Sequence, residues 1–421
     1  MARAPRVVLV DSFSRTKSTA DAFAAAGAQL VRVQSGKTVP RLFAGPVDLS
    51  AYLENIVHDG DLARTAALCA AHEPAAVVAA SEPGVELADA LSAQLGLLTN
   101  GTELSQARRD KYLMTETVRR AGLAAARQIR PASAGELREW HEALGGRVVV
   151  KPLRSGAGDG VHFCDTPSES AAAFAALDGV VNGFAQVNDG VVAQEYVRGT
   201  EYVVNMVSRD GRHHATDIWR TARISVNGIL DFASSVHLVR RRGEVQDRLV
   251  AYAEEVLDAL GIRHGPAHAE IKLTESGPVL VEVGARAGGG RLPLYVKELL
   301  GESQLDLTVD AYLAPGKFHA RTGGDYPIGP YFVVVPMVSP VAGILRGYRH
   351  LDRIRKLESF HDMSIDVRPG SRIVPTVDDM TPLRVLLKHD SEETVLRDTG
   401  TLKYLDGESF YELEPGAVPM P

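Results

Sequence analysis

HAEIKLTESGPVLVEVGARAGGG, residues 268–290, is the stretch that decides the fold. Two runs with strand-like character flank the turn at 275–277, which predicts a β-hairpin closed by a three-residue loop. That closure centres the pairing on Ser276 and places Glu270 directly opposite Glu282. Two carboxylates about 5 Å apart on one face repel each other, which favours either a raised pKa or a cation held between them.

The chemistry of this face favours magnesium, which prefers oxygen ligands and is commonly held by one or two carboxylates and by nucleotide phosphates. Alternation along the two strands places further residues on the face of the two glutamates: His268, Lys272, Gly284 and Arg286. The three glycines at 288–290 add backbone that a ligand can approach closely. A solvated outer hairpin face, with ordinary surface ion pairs, is the alternative that the pattern leaves open.

A second signal lies upstream, in VVVKPLRSGAGDGV at 148–161. We expect the buried strand to end at Lys151, because Pro152 cannot continue a hydrogen-bonded ladder. The glycines that follow let backbone N–H groups approach an anion, and the lysine adds a charge suited to phosphate. A plain surface turn with a solvated lysine remains the alternative. The segment is not a Walker loop, since GxxxxGK[ST] is absent.

The N-terminal region has the pattern of a doubly wound α/β unit. Apolar runs and helical periodicity predict strands at 6–10, 28–33 and 75–80 and helices at 18–26, 61–72 and 85–96. No GxGxxG follows the first strand, which disfavours dinucleotide binding. Residues 1–105 are therefore predicted to be a Rossmann-like domain.

Three further domains are predicted along the chain. Residues 106–195 carry a charged helix at 106–121, a strand at 147–151, a helix at 168–177 and a strand at 190–197. Residues 196–325 contain a hairpin at 201–219 that turns at Asp210-Gly211, a helix at 246–260 and the hairpin at 267–285. Residues 326–421 begin with YFVVVPMV and read as a small β-rich domain of short strands. The predicted fold class is thus multidomain, α/β and α+β.

Composition narrows the class of protein. The 421 residues are 45% hydrophobic, 24% charged and 6% aromatic, as in globular enzymes. The net charge of −7 does not suggest a broad basic surface for nucleic acid, although local basic pockets remain open. The two cysteines form no metal or disulfide pattern, and no apolar run near the N-terminus is long enough for a signal or a membrane span, so we expect a cytoplasmic protein without membrane partners.

The order of these motifs resembles the ATP-grasp superfamily of carboxylate–amine ligases over residues 1–325. The resemblance is carried by Lys111 in RRDKYLM, Lys151 before SGAGDG, QEYVRGTEY at 194–202, and the glutamates of EIKL and VEVGAR. The segment SEPGVELADALSAQLGL, the ending LVEVGARAGGG and the β-rich tail are most similar to bacterial L-amino acid ligases, which form dipeptides.

The resemblance implies residue roles. Lys111 and Lys151 contact the α- and β-phosphates of ATP, and the loop with Ser155, Gly156, Gly158 and Gly160 covers the phosphates as a lid. Glu195, Tyr196 and Val197 form the hinge beside adenine, Glu201 accepts from the ribose hydroxyls, and Lys272 belongs to the nucleotide site. Glu270 and Glu282 hold Mg²⁺. Arg286 and Lys151 act in catalysis, and the substrate pocket is assigned to His237, His268, Arg286 and Gly289.

The implied reaction activates a carboxylate as an acylphosphate at the expense of ATP and joins it to an amine, with two Mg²⁺ ions, or Mn²⁺ in their place. The substrates are a small-molecule carboxylate and amine, both amino acids by the closest resemblance. Members of this family often form homodimers. A non-amino-acid substrate, a purine-type substrate, or a nucleotide-binding protein without turnover remain alternatives. Gly284 departs from the family, since many members have a metal-binding asparagine there.

Overall fold

The computed structural model describes residues 3–326, 329–378 and 380–415. The chain forms two compact units that exchange segments. The first unit comprises Met1–Gly199, Val203–Ile218 and Arg241–Tyr326, and the second comprises Thr200–Tyr202, Trp219–Arg240 and Pro327–Pro421. The limits of the four domains expected from the sequence stay predictions.

The first unit begins with the predicted doubly wound layer. Its elements are β1 (Arg6–Val10), α1 (Lys17–Ala25), β2 (Gln29–Gln34), β3 (Glu54–Val57), α2 (Leu62–Ala70), β4 (Ala76–Ala79) and α3 (Val85–Gln94). The strands are parallel in the order β3-β2-β1-β4, with apolar clusters on both faces. Buried faces on both sides explain the continuous apolar runs in the sequence, and the Rossmann-like prediction is confirmed.

An antiparallel layer follows in the same unit. Its elements are α4 (Lys111–Arg120), β5 (Gln128–Ile129), α5 (Ala134–Leu144), β6 (Val148–Pro152), β7 (His162–Cys164), α6 (Pro167–Leu177) and β8 (Val191–Glu195). The strand order is β5-β8-β6-β7. The prediction that Pro152 stops the strand is wrong, because Pro152 still pairs with Val191 of β8. The pairing of β7 ends opposite Val150, so β8 alone pairs with the last residues of β6.

The charged helix also starts later than the predicted residue 106. Helix α4 begins at Lys111, because the Asp110 side chain caps it by accepting from the Leu113 N–H at 3.0 Å. Lys111 is therefore the first helical residue, and it is buried. The mid-helix position that the predicted range 106–121 gave Lys111 is therefore wrong, and the lysine is fixed at the start of the helix.

Residues 200–326, most of which belong to the first unit, supply the predicted hairpins. The elements of residues 200–326 are β9 (Thr200–Arg209), β10 (Arg212–Val226), β11 (Ile229–Val239), α7 (Glu244–Ala259), β12 (Gly265–Thr274), β13 (Gly277–Gly284), α8 (Leu292–Leu300), α9 (Gln304–Leu313) and α10 (Pro315–Arg321). Within this unit the strand order is β13-β12-β9-β10. Asp210 and Gly211 have φ of 55° and 74°, as a two-residue hairpin turn requires.

The second unit is rich in strands, as predicted, but it is not made of strands alone. Its remaining elements are β14 (Tyr331–Met337), β15 (Gly343–Tyr348), α11 (Leu351–Arg355), β16 (Phe360–Ile365), β17 (Arg372–Ile373), β18 (Leu383–His389), α12 (Glu392–Leu405) and β19 (Tyr411–Leu413). Its sheets have the orders β10-β11-β14-β18-β16 and β17-β15-β19. Helix α12 was not foreseen, although Ser391 caps it and Val395, Leu402 and Leu405 form a buried stripe.

Two further observations bear on the sequence-based expectations. Cys69 and Cys164 are both free and buried, and burial raises the pKa of each thiol to about 11. Among the described residues, no helix is both long and apolar enough to cross a bilayer.

Candidate active site

The hairpin β12–β13 does place Glu270 opposite Glu282, but not by the predicted turn. The loop has two residues, because Thr274 pairs with Gly277 and Ile271 pairs with Leu280. The register then shifts between Ile271 and Glu270, where a bulge adds one residue to β13. A shorter turn plus a bulge gives the same facing of the two carboxylates as a longer turn without one.

Nitrogen-bearing side chains lie beside both glutamates. Lys111 Nζ lies 3.2 Å from Glu282 Oε2, and His268 Nε2 lies 3.5 Å from Glu270 Oε1. The glutamate side chains are 30% and 25% exposed, so a ligand can reach them. Among the described residues, no group of three or more His, Cys, Asp or Glu side chains is placed to hold a metal ion. An ion held here by two carboxylates would complete its coordination with ligand oxygens and water.

Lys111 also touches the glycine loop. Its Nζ donates a 2.8 Å hydrogen bond to the carbonyl of Ser155, and its backbone N–H donates to the carbonyl of Leu153 at 3.0 Å. One lysine therefore contacts both the loop and Glu282. Lys151 lies buried in β6, paired with Val192 in the ladder. The alternative of a solvated lysine before a plain surface turn does not describe Lys151.

The glycines of the loop differ in what surrounds them. Gly158 and Gly160 have φ of +75° and +74°, which a side chain disfavours. A Cβ at Gly160 would also lie 2.8 Å from Pro152 Cγ, whereas one at Gly158 would meet nothing within 4 Å. At Gly156 a Cβ would come within 3.0 Å of the Phe184 ring.

The segment predicted to form an adenine hinge follows β8. Glu195 is tied to Arg127, which donates from its backbone N–H at 2.8 Å and from its guanidinium Nε at 2.6 Å. Lys272 Nζ lies 4.5 Å from the centre of the Tyr196 ring, a cation–π contact that links the second hairpin to this segment. Val197 is half-buried.

Arg286 is held by a residue that sequence reasoning did not single out. Its Nε lies 2.9 Å from Oε2 of Glu82, and the other oxygen of Glu82 accepts from Arg109 Nη1 at 2.8 Å. Glu82 follows the carboxyl end of β4, and ligands of open parallel sheets bind at that end of the strands, so its position was the available signal. Ser81 Oγ, Arg109 Nε and Glu82 Oε2 are buried and have no hydrogen-bond partner among the described residues, so Glu82 Oε2 meets Arg286 as an ion pair only.

The departure at Gly284 has a steric reason. A Cβ placed on Gly284 would lie 2.7 Å from Glu82 Oε2 and 3.0 Å from Arg286 Cζ. The space that a side chain at this position would fill is occupied by the Glu82–Arg286 ion pair. Without that asparagine the second Mg²⁺ is expected to rely on Glu282 and phosphate oxygens alone, which stays a prediction.

His268 belongs to a polar network. Its Nδ1 lies 2.7 Å from Asn205 Oδ1, and the Asn205 amide donates to Asp217 Oδ1 at 2.5 Å. Asn205 and Asp217 are buried and were not predicted. Gly289, which is also expected in the substrate pocket, is exposed, and a Cβ there would meet no atom within 4 Å.

Two predicted site residues belong to the second unit. Glu201 is buried and forms an ion pair with Arg223. His237 is buried in β11, where its Nε2 lies 2.9 Å from Ser235 Oγ. Burial, together with the positive charges of Arg220 and Lys403, lowers the pKa of His237 to about 4, so its imidazole is neutral at pH 7.

Known proteins are similar to this chain over the residues that form the candidate site. A family model described as "ATP-grasp domain" matches residues 145–293, which span the glycine loop and the second hairpin. The chain is 32% identical to dapdiamide A synthase of Enterobacter agglomerans over 402 residues, which cover 93% of each protein. It is 23% identical to alanine–anticapsin ligase of Bacillus subtilis (strain 168) over 265 residues, covering 57% of this chain and 54% of the relative.

The fold has counterparts among solved structures. The structure of an L-amino acid ligase from Bacillus licheniformis aligns with a TM-score of 0.76 and 18% identity, covering 98% of this chain and all of that one.

Proposed function

This chain belongs to the ATP-grasp family of ATP-dependent carboxylate–amine ligases, and we propose that it joins two amino acids into a dipeptide or a closely related amide. The observation that carries the proposal is the pair of facing carboxylates, Glu270 and Glu282, with Lys111 bridging Glu282 and the glycine loop. Similarity to a relative whose name states that it ligates alanine supports an amino acid as one substrate.

The proposed chemistry begins with activation, because a carboxylate oxygen is a poor leaving group and an amine alone forms only a salt with it. A carboxylate oxygen of the first substrate attacks the γ-phosphorus of ATP, and the bond from that phosphorus to the β-γ bridging oxygen breaks, which releases ADP. The neutral amine of the second substrate then attacks the acyl carbon. Phosphate leaves with the former carboxylate oxygen, and the nitrogen loses a proton.

Phosphoryl transfer needs positioning and charge neutralisation more than a covalent nucleophile. In the proposal, Lys111 and Lys151 neutralise the α- and β-phosphates, and Arg286 faces the transferred phosphoryl group or the substrate carboxylate. The loop from Ser155 to Gly160, with Gly156 and Gly158, closes over the phosphates and excludes water from the acylphosphate. The contact between Lys111 and the Ser155 carbonyl supports this pairing of lysine and loop.

The remaining assignments concern the nucleoside and the second unit. We assign Glu195, Tyr196 and Val197 to the adenine side of the nucleotide, with Lys272 beside Tyr196. Glu201 would accept from the ribose hydroxyls in place of its present partner Arg223. The acyl and amine substrates are assigned to His237, His268, Arg286 and Gly289.

The carboxylate pair fits magnesium by its donor chemistry. Two accessible carboxylates that face each other supply hard oxygen ligands, and nucleotide phosphates supply the rest of a six-oxygen shell. Glu270 and Glu282 would hold the ion, which supplies charge neutralisation at the phosphates. We propose two Mg²⁺ ions, with Mn²⁺ as a substitute. A homodimer and a cytoplasmic location are proposed on the family resemblance and on the free thiols.

The test is phosphate release with Mg-ATP across single and paired L-amino acids, with mass spectrometry of each active mixture. We expect release only with a pair, and a product lighter by one water than the sum of its two acids. Glu282→Gln should lower ADP formation about 100-fold or more. The substitution keeps the shape of the side chain but removes the carboxylate charge that is proposed to hold Mg²⁺ at the phosphates. Glu275→Gln, in the exposed turn of the same hairpin, is the matched control.

Release with single amino acids alone, or no release from any pair while Mg-ATP binding is intact by calorimetry, would overturn the proposed substrates. Unchanged ADP formation in Glu282→Gln would remove the metal assignment.

A further inference from the structure

A buried carboxylate between two arginines is the feature of the first unit that the proposed roles leave unused. Glu82 lies in a short 3₁₀ turn, Glu82–Gly84, between β4 and α3. Its side chain is 11% exposed, and each carboxylate oxygen faces a different guanidinium, Arg109 at 2.8 Å and Arg286 at 2.9 Å. Burial alone raises the pKa of Glu82, but Arg286 and Arg109 outweigh it and hold the pKa below its ordinary value.

The buried charge of Glu82 is compensated by the two arginines, Arg109 and Arg286. A buried carboxylate is costly unless it is paired, and removing one partner of such a pair leaves an uncompensated charge. Arg109 is itself buried and is additionally fixed by its stacking over the Phe184 ring, 5.4 Å from the ring centre. Arg109 is therefore the fixed residue of the cluster. Because Glu82 is bound to Arg109, it can in turn restrict the position of Arg286, whose side chain is 19% exposed.

The main chain of β13 is adapted to the same cluster. Because a Cβ at Gly284 would lie 2.7 Å from Glu82 Oε2, only glycine leaves room for the carboxylate on this side. Gly284 lies two residues after Glu282 and two before Arg286. The space that it leaves for the Glu82 carboxylate therefore lies, along β13, between the two residues proposed to act at the phosphates.

We propose that Glu82 is a positioning residue that holds the Arg286 guanidinium in the orientation required at the transferred phosphoryl group. Arg109 fixes the Glu82 carboxylate, and Gly284 leaves the space that this carboxylate occupies. The inference rests on the proposed function, since it takes the role of Arg286 from there. Glu82 acts through Arg286 and is not assigned a contact with substrate. Its carboxylate keeps the Arg286 guanidinium from turning toward solvent.

The test compares two ligands by calorimetry. Mg-ADP alone reports nucleotide binding, and Mg-ADP with aluminium fluoride mimics the phosphoryl group in transfer. We expect Glu82→Gln to weaken the aluminium fluoride complex about tenfold or more, as loss of a supporting partner commonly does, with Mg-ADP binding changed less than twofold. In steady state, kcat for ADP formation should fall while KM for ATP stays within twofold.

Asp89→Asn is the matched control. Asp89 pairs with the buried Arg108 at 2.8 Å, next to Arg109 in sequence, so its loss removes a comparable buried ion pair. It should lower the melting temperature without changing the affinity for the aluminium fluoride complex. If Glu82→Gln fails to fold, Gly284→Ala provides the second variant, because it retains both charges while displacing the carboxylate, and it should weaken the same complex.

Arg286→Ala separates the two levels of inference. If it weakens the aluminium fluoride complex and the double variant with Glu82→Gln is no weaker, the two residues act as one unit and the proposal holds. If Arg286→Ala has the effect and neither Glu82→Gln nor Gly284→Ala does, the positioning role is wrong while the proposed function stands. If Arg286→Ala has no effect, the role of Arg286 in the proposed function is wrong, and the inference falls with it.

Discussion

At the scale of single residues, position within an element decides what a charged side chain does. Lys111 is one of many cations in a charged stretch, and its composition alone suggests a solvated side chain. The Asp110 cap makes it the first residue of α4, and from there its ammonium contacts both the Ser155 carbonyl and Glu282. The cap is visible in the sequence as an aspartate before an apolar run, but what the lysine would contact is not.

His237 gives the residue-scale prediction, a pH dependence of stability. Its folded pKa of about 4 lies below the ordinary value of 6.5, so the unfolded chain binds the proton more tightly. Its stabilising contribution is therefore complete above pH 6.5 and is lost as the pH falls toward 4. At pH 5 the loss amounts to about 2 kcal/mol. We expect the melting temperature of the wild type, relative to His237→Gln, to be lower at pH 5 than at pH 7.5.

Two measurements check this interpretation of His237. Thermal unfolding of both proteins at several pH values gives the difference curve, and an equal difference at pH 5 and pH 7.5 would contradict a lowered pKa. The KM of His237→Gln for each substrate, compared with that of the wild type at pH 7.5, independently tests the assignment of His237 to the substrate pocket. At that pH the wild-type imidazole is neutral whether its pKa is about 4 or the ordinary 6.5.

At the scale of elements, the sequence predicted most strands and helices but not how neighbouring elements adjust to one another. The parallel layer and the two hairpins follow from apolar periodicity and turn residues, and all three are confirmed. The facing of Glu270 and Glu282 was predicted from the wrong turn length, because a bulge is a local compromise between strands that no residue pattern marks. The partnership of Glu82 with Arg286 joins residues 204 positions apart in the chain, beyond the reach of local patterns.

The glycine loop gives the element-scale prediction. Gly160 combines a φ of +74° with close approach to Pro152 and Leu177, so Gly160→Ala adds both backbone strain and crowding. A residue held in such a conformation costs about 1–3 kcal/mol. Because the loop is proposed to close over the phosphates, we expect Mg-ATP to bind about tenfold more weakly and to protect residues 153–160 less against limited proteolysis than in the wild type.

Gly145→Ala is the matched control for that loop variant. Gly145 has a φ of +67° and nothing within 4 Å of a Cβ, and it lies at the end of α5. It carries the strain without belonging to the loop, so it should lower the melting temperature and leave Mg-ATP affinity unchanged. Equal Mg-ATP affinity in Gly160→Ala and the wild type would contradict the lid assignment.

At the scale of the whole molecule, the chain order does not follow the units. The second unit takes Trp219–Arg240 from the middle of the chain and combines it with the C-terminal residues. Strands β9 and β10 each give residues to both units. Sequence reasoning placed a boundary at residue 326 because a series of short strands begins there, and that local pattern carries no information about an earlier strand that pairs with later ones.

This interleaving predicts that the chain cannot be shortened at residue 326. In the second unit, β11 pairs with β14 through Val236–Val334, His237–Val333 and Leu238–Phe332, and the Phe332 ring packs edge-on against the buried Trp219. Removing residues 327–421 leaves one edge of β11 without its partner and exposes apolar side chains, which favours association between chains. We expect residues 1–326 to be largely insoluble or aggregated by size-exclusion chromatography, and coexpression of residues 327–421 to restore soluble protein. A soluble, monomeric 1–326 fragment with the melting temperature of the full chain would show that the segment 219–240 does not depend on β14, and the C-terminal residues would then be a separable domain.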